Sequence, residues 1–406
     1  MTPMKISRVV MIIPTYNEKE NISKLIPVLQ QVFSRVPKKY EMHILIVDDS
    51  SPDGTGNVVE KFSLSNKNVH LLTNPKKGGL GAAYMRGMTE AFGPLKADLI
   101  FEFDADFSHD PEKIPEFLQK IDEGYEFVLG SRYIPGGSIP PNWGWHRKFL
   151  SIYGNLFINL VLTTLAVHDW TTGYRAITKK VYIAVRDEMK GERFTGYTWQ
   201  IGFLHKAMRK GFKITEVPFK FVDRTMGHSK LGAEYIKNTF MYIVKVRLQE
   251  IFAMRVFKFG MVGGLGFVIN TLGLFLFSRL PVVVSLSNAL YTTTKLSMVN
   301  VSGLAAALGA ECAIISNFTW NNLWTFHDRK LTSAWSIFPK FIQFNLASFG
   351  AVAIQFLVVG AGTAVTGQTT FWRFFWLVVA TAIGMVLNYI VYSTFIWKVK
   401  KPHPAV

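Results

Sequence analysis

The chain has 406 residues, with 45 Lys+Arg against 28 Asp+Glu and 49% hydrophobic residues, a balance that excludes a disordered chain, a collagen-like repeat and a disulfide scaffold. Residues 1–254 hold 34 Lys+Arg and 26 Asp+Glu, and the rest of the chain only 11 and 2, so a charged globular part precedes a membrane part. The net charge of +17 therefore reads as membrane-surface charge, and no nucleic-acid partner is expected because the aromatic residues concentrate in the apolar runs.

The opening apolar run, residues 9–13, is too short for the core of a signal peptide and reads as a strand stopped by Pro14. Residues 18–33 carry Ile22, Leu25, Ile26, Leu29 and Phe33 at helical spacing, and a second strand at 43–47 stops at Asp48 and Asp49. A helix from about Thr55, a strand at 69–72, a helix at 81–92, a strand at 99–103 and a helix at 111–121 continue the alternation. Such an order dictates a parallel sheet with right-handed crossovers, whose ligands bind at the carboxyl ends of the strands. Those ends are residues 14–18, 48–53 and 104–109. Each alone is ordinary turn or cap chemistry, but three polar ends on one rim need a cation or ligand hydroxyls to offset their carboxylates.

Asp104-Ala105-Asp106 carries the most chemistry. If the strand continues, both carboxylates face one side, and hard oxygen ligands suit Mg²⁺ or Mn²⁺ on a diphosphate. Ser108 is a candidate third metal ligand, while His109 reads as a cap of the following helix. Lys76-Lys77-Gly78-Gly79-Leu80-Gly81 lacks the spacing of a phosphate-binding loop, so ATP hydrolysis is not expected.

Residues 149–166 contain no charge, yet Ser151, Asn155, Asn159 and Thr163 recur every fourth residue. One polar stripe on a greasy helix predicts an element lying in the membrane interface. Residues 234–254 repeat that pattern, with Ile236, Phe240, Ile243 and Leu248 on one face and Lys237, Lys245 and Arg247 elsewhere. Four spans are predicted at 259–278, 301–324, 341–362 and 374–397; the second carries Glu311 and the single cysteine, Cys312. Lys245, Arg247, Arg255, Lys258, Arg329, Lys330, Lys340, Lys398, Lys400 and Lys401 flank one side, which places both termini and the globular part in the cytoplasm. Gly260 and Gly264 are spaced for close helix packing, expected within the bundle.

Ile13-Pro14-Thr15-Tyr16-Asn17-Glu18, Val47-Asp48-Asp49, Asp104-Ala105-Asp106, Gly130-Ser131-Arg132-Tyr133 and the run from Phe221 through Val222-Asp223-Arg224 to Ser229-Lys230-Leu231-Gly232 together resemble the dolichyl-phosphate mannosyltransferases of glycosyltransferase family two. The resemblance spans about residues 6–235, and the tail is similar to the small flippase-like membrane domain that some members carry. It implies a GT-A type α/β nucleotide-sugar transferase domain at 1–233, an interface helix at 234–254 and a four-helix transmembrane domain at 255–406. It implies mannose transfer from GDP-mannose to dolichyl or another polyprenyl phosphate, assisted by Mg²⁺ or Mn²⁺. A UDP-linked hexose as donor, and a lipid-linked-sugar flippase, stay open as rivals.

By the same resemblance Pro14, Tyr16, Glu18, Val47, Asp48 and Asp49 meet the nucleoside, and Asp104, Ala105 and Asp106 meet the diphosphate and metal. Arg132, Arg224 and Lys230 hold donor phosphates, and Arg132, Arg147 and Arg224 the acceptor phosphate. Asp169, before Thr171-Thr172-Gly173-Tyr174-Arg175, is expected nearest the attacking phosphate in an orienting role, since a phosphate monoester with a second pKa near ~6 needs no strong base. The chain departs from the family at Ser108, where Gln is usual, and at Gly202 and His228, where Glu is usual.

Overall fold

A computed structural model describes residues 7–190, 197–223, 233–294, 301–367 and 369–398. It divides into two units, residues 1–247 and 248–406.

In the first unit, strands β1 (Arg8–Thr15), β2 (Glu41–Asp48), β3 (Val69–Thr73) and β4 (Leu99–Glu102) are joined through helices α1 (Lys19–Ser34), α2 (Thr55–Ser65) and α3 (Leu80–Phe92). Then follow α4 (Ile114–Asp122), β5 (Phe127–Ser131), α5 (Trp145–Val161), β6 (Arg175–Thr178), α6 (Lys179–Met189), α7 (Thr198–Arg209) and β7 (Ile214–Pro218). The sheet order is β3-β2-β1-β4-β6-β5-β7. Side-chain alternation along β1 divides the core: Val9, Met11 and Ile13 pack with α1 and α4, whereas Val10 and Ile12 pack with α3, α6 and α7. Helix α3 approaches the sheet closely because it presents Gly87 there; a Cβ at that position would lie 2.6 Å from Ile12 Cγ2.

One strand determines where the site forms. All neighbouring pairs are parallel except those of β6, which runs antiparallel to β4 and to β5. Its first residue, Arg175, therefore pairs with Glu102, the last residue of β4. The loop leading into β6 thus lies on the same rim as the ends of β1, β2, β4, β5 and β7. The alternation rule cannot foresee this reversal, so only three of these ends were predicted.

Helix α5 begins four residues earlier than predicted and ends at Val161. Its polar stripe faces inward: Asn155 and Asn159 are buried, while Trp145, Phe149, Tyr153, Leu156 and Leu160 are exposed. Helix α8 (Ala233–Ala253) covers the predicted amphipathic segment, and the unit boundary falls inside it. Ile243 joins the core, while Ile236, Phe240 and Met241 are exposed. Phe240 stacks on Phe157 of α5, with ring centroids 5.1 Å apart.

The second unit contains α9 (Arg255–Phe277), α10 (Pro281–Thr294), α11 (Val301–Trp320), α12 (Ala334–Thr366) and α13 (Thr370–Val391). Helices α9, α11, α12 and α13 fall on the four segments predicted as spans. Helix α10, described over Pro281–Thr294, was not foreseen. Helices α9 and α11 meet through glycine: a Cβ on Gly273 would lie 2.7 Å from Gly309 Cα, and one on Gly309 2.8 Å from the Asn270 carbonyl oxygen. The predicted pair Gly260 and Gly264 has nothing within 4 Å of where a Cβ would sit. The close contact lies farther along α9, because Gly266 and Gly273, and not that pair, fall on the face turned toward α11. Helices α11 and α13 both end in a π turn, at Asn321–Thr325 and Tyr392–Ile396, each followed by a buried aromatic. Those aromatics, Phe326 and Trp397, stack with centroids 4.7 Å apart and planes within 8°.

Candidate active site

The first two predicted strand ends are tied to each other. Asp48 Oδ1 accepts from the Thr15 hydroxyl at 2.9 Å and the Ser51 hydroxyl at 2.6 Å, and its Oδ2 from the Ser51 N–H at 2.9 Å. Asp49 accepts from Asn74 Nδ2 at 2.6 Å and the Gly78 N–H at 3.3 Å. Both aspartates are buried. They hold the rim's loops together, and the surface offered beside them is Tyr16, 36% exposed, with the Lys77 ammonium 3.7 Å above its ring. Glu18 accepts from Asn21 Nδ2 at 2.7 Å, and its own N–H donates to the Thr55 hydroxyl. Pro14 and Val47 pair in register one residue before their strands end.

Strand β4 stops at Glu102, yet alternation persists beyond it. Phe103 and Ala105 enter the core, and the Asp104 side chain between them is 38% exposed. Asp106 Oδ1 accepts the Ser108 N–H at 3.1 Å and the Ser108 hydroxyl at 2.6 Å, so Ser108, only 2% exposed, supports Asp106 from behind. His109 is not a helix cap: its Nδ1 accepts the main-chain N–H of Asp104 at 3.0 Å, and the cap of the next turn is Asp110. Burial lowers the His109 pKa, in keeping with a neutral imidazole. Each predicted strand end contains one non-glycine residue with left-handed backbone: Asn17 at φ 60°, Ser50 at φ 54° and Phe107 at φ 62°. Such a conformation costs roughly 1–2 kcal/mol per residue and concentrates at functional loops.

The paired carboxylates suit a hard divalent cation. Gly173 lies close against Asp104: a Cβ there would stand 3.4 and 3.5 Å from the two Asp104 carboxylate oxygens. Among the described residues no group of three or more His, Cys, Asp or Glu is placed to hold a metal ion.

Arg132 and Asp169 are brought together from 37 residues apart. Arg132 Nε donates to Asp169 Oδ2 at 2.7 Å and Nη2 to Oδ1 at 2.6 Å; the Arg132 N–H adds a third bond, and Nη2 reaches the Thr171 hydroxyl at 2.8 Å. Asp169 is fully buried and Arg132 9% exposed. Burial works against the guanidinium charge, but the Asp169 carboxylate more than offsets it and the Arg132 pKa is raised. Both Asp169 carboxylate oxygens are thus engaged by Arg132. Arg175 donates to the carbonyls of Trp170, Thr172 and Gln200. Its neighbour Glu102, 3.8 Å away, is pushed up to about 7 by burial.

Periodicity did not disclose the residues that hold this loop. Asn155 Oδ1 accepts the Trp170 N–H, Asn159 Oδ1 accepts the Trp170 indole N–H at 2.7 Å, and Glu216 Oε1 accepts the Asp169 N–H at 3.0 Å. For Asn155 and Asn159 the fourfold polar spacing in α5 was the only signal; Glu216, in β7, had none. Arg147 pairs with Asp223 at 3.2 Å and lies 3.8 Å over the Trp143 ring, whose N–H also donates to Asp223. Arg224 and Lys230 lie outside the described residues.

Residues 10–186 match glycosyl transferase family 2, and residues 258–397 match the GtrA/DPMS transmembrane domain. The dolichol-phosphate mannosyltransferase of Pyrococcus furiosus is 30% identical over 396 residues, 95% of this chain and 96% of that protein. The chain belongs to the dolichyl-phosphate mannosyltransferases of glycosyl transferase family 2. Two further members of the group match the first unit: the polyprenol monophosphomannose synthase of Mycolicibacterium smegmatis, 36% identical over 59% of this chain and 86% of that protein, and the undecaprenyl-phosphate mannosyltransferase of Micrococcus luteus, 37% identical over 55% and 88%. The chain is a membrane protein of this family: residues 255–277 and 378–396 are each long and apolar enough to cross a bilayer.

Proposed function

We propose that the chain transfers mannose from GDP-mannose to a dolichyl or other polyprenyl phosphate at the cytoplasmic face of a membrane, with inversion at the anomeric carbon. The observation that carries this reading is the Asp104 and Asp106 pair, braced by His109 and Ser108, with Gly173 rather than a larger residue beside Asp104. A divalent cation held there, Mg²⁺ or Mn²⁺, supplies counter-charge to the leaving diphosphate. Tyr16 and the Lys77 ammonium flank the place assigned to the nucleoside. Arg132, fixed in one rotamer by Asp169, presents a preorganised positive edge to phosphate oxygens, so little reorganisation is left for the moment of reaction. Arg224 and Lys230 add charge by family resemblance. A phosphate oxygen of the acceptor then attacks the anomeric carbon from the face opposite the diphosphate.

The acceptor is a lipid, and the exposed apolar residues of α5 and α8 meet on one side of the first unit at Phe157 and Phe240. This supports an interface role, with α5 turning its greasy face, and not its polar stripe, toward the bilayer. Four crossings by α9, α11, α12 and α13, with both termini in the cytoplasm, follow from the flanking basic residues. Incubating the purified full chain with GDP-mannose, polyprenyl phosphate and Mn²⁺ is expected to yield lipid-linked mannose. Product from UDP-glucose in place of GDP-mannose overturns the donor assignment.

A further inference from the structure

The β4 ladder ends at Glu102, two residues before Asp104, whose Oδ1 accepts the Tyr84 hydroxyl at 3.4 Å. The chain then curls back through Phe107, in left-handed conformation, and brings His109 against Asp104. The His109 Nδ1 accepts the Asp104 N–H at 3.0 Å. That bond needs a lone pair on Nδ1, so the ring hydrogen sits on Nε2, which faces Asp104 Oδ2 at 3.6 Å. One imidazole thus addresses both the main chain and the carboxylate of a single residue. The ring has no room to turn: it stacks on Tyr174 at 5.0 Å and 16°, and meets the edges of Phe103 and Phe219 at 5.3 and 6.0 Å. Only 1% of His109 is exposed. A Cβ on Gly173 would lie 3.3 Å from His109 Cε1, tighter than an ordinary contact.

We propose that His109 is a positioning residue for cation binding: its Nδ1 acceptor sets the rotation of Asp104, so that the Asp104 carboxylate is presented to a divalent cation without rearrangement. The proposal rests on the reading of Asp104 and Asp106 as cation ligands. Partners behind a ligand commonly control metal affinity in this way. A packing role makes a different prediction, because the aromatic box of Phe103, Tyr174 and Phe219 asks for a ring, whereas the clamp asks for an acceptor.

Two substitutions separate them. His109→Asn places an amide oxygen where Nδ1 stands and removes the ring; His109→Phe keeps the ring and removes the acceptor. The full chain in detergent is titrated with Mn²⁺ in the presence of GDP, and free Mn²⁺ is read by electron paramagnetic resonance. His109→Phe is expected to raise the Mn²⁺ dissociation constant about 10- to 100-fold, and His109→Asn to stay within about threefold of the parent. GDP binding without metal is expected to be equal in all three proteins. Should His109→Phe fail to fold, His109→Met, which fills the space without a strong acceptor, takes its place with the same expectation. Parent-like Mn²⁺ affinity in the Phe or Met variant, or a loss in His109→Asn as large as in His109→Phe, overturns the clamp. If the parent itself binds no Mn²⁺, the reading of the carboxylate pair falls, and the clamp with it.

Discussion

The two units solve the problem of buried polarity in opposite ways. In the first, charge is buried and paired: Arg132 with Asp169, and Arg175 against three carbonyls beside Glu102. In the second, hydroxyls turn back on their own helix, as Thr271 donates to the Phe267 carbonyl, Thr319 to Ile315 and Ser348 to Phe344, and helices meet through glycine and stacked rings. Water can solvate the unfolded form of the first unit, so its buried ions must be strictly matched. Lipid cannot, so in the second many hydroxyls bond on their own helix, and the few polar side chains that reach across do so in pairs, as the Trp397 indole N–H donates to Asn322 Oδ1 at 3.0 Å. Loss of a partner should therefore be costly in the first unit, and loss of space costly in the second.

The largest expected effect is that of Asp169→Asn. It strands the buried Arg132 guanidinium and should lower stability by about 3–5 kcal/mol, together with a severe loss of transfer. Denaturant unfolding of the full chain checks this, and a loss below about 1 kcal/mol would mean that Arg132 finds water or another partner. The companion change Asp169→Leu with Arg132→Met should recover much of the stability and none of the activity.

Next comes a pH effect confined to the first unit. Burial raises the Glu102 pKa to about 7 from the model-compound 4.5, so the folded state holds this proton more tightly than the unfolded state. Its contribution is fully present below about pH 4.5 and fades as pH rises through 7, by an amount on the order of 2–3 kcal/mol. Glu102→Gln keeps an acceptor for the Trp199 indole and should remove that slope from a stability profile taken between pH 5 and 8. An unchanged slope would show that Glu102 stays ionised against Arg175.

In the second unit, Gly309→Ala crowds the Asn270 carbonyl and should cost about 1–3 kcal/mol by overpacking, whereas Gly260→Ala should be silent. Equal effects, measured by thermal unfolding in detergent, would remove glycine contact as the organising feature. The smallest effect is expected on the outer face of α5. Leu156→Ser with Leu160→Ser touches no core residue, should leave unfolding unchanged, and should raise the KM for a long polyprenyl phosphate about fivefold, near 1 kcal/mol of lost apolar contact. A short, detergent-soluble acceptor should be unaffected; equal changes for both acceptors would place these residues outside lipid contact.

How much of this was legible in the sequence follows the range of each signal. Residues 9–13 and 43–47 read as strands because their β-branched runs are local, and the polar residues after them follow directly. The pairing of Arg132 with Asp169 was not legible, since it depends on β6 running backwards, and four residues, Arg175 to Thr178, carry too little pattern to reveal direction. Periodicity in α5 separated a polar stripe from a greasy face but not which of them faces the protein. That choice was made by Trp170, whose N–H groups need Asn155 and Asn159. Helix α10 escaped notice because Ser285, Ser287, Asn288 and Thr292 interrupt its apolar run, and the bond from Ser108 to Asp106 was not legible because a hydroxyl beside a carboxylate serves equally as a ligand or as a brace.

The twin π turns carry a consequence for phase. A π turn holds one residue more than the α-helix it interrupts, which advances every later side chain by about 100° around the axis. At the ends of α11 and α13 that advance swings Phe326 and Trp397 inward onto one another. Deleting a single residue from either turn would restore a regular helix and send its aromatic outward. The two helix pairs thus share one punctuation mark, written twice in the chain and read once, where the two rings meet.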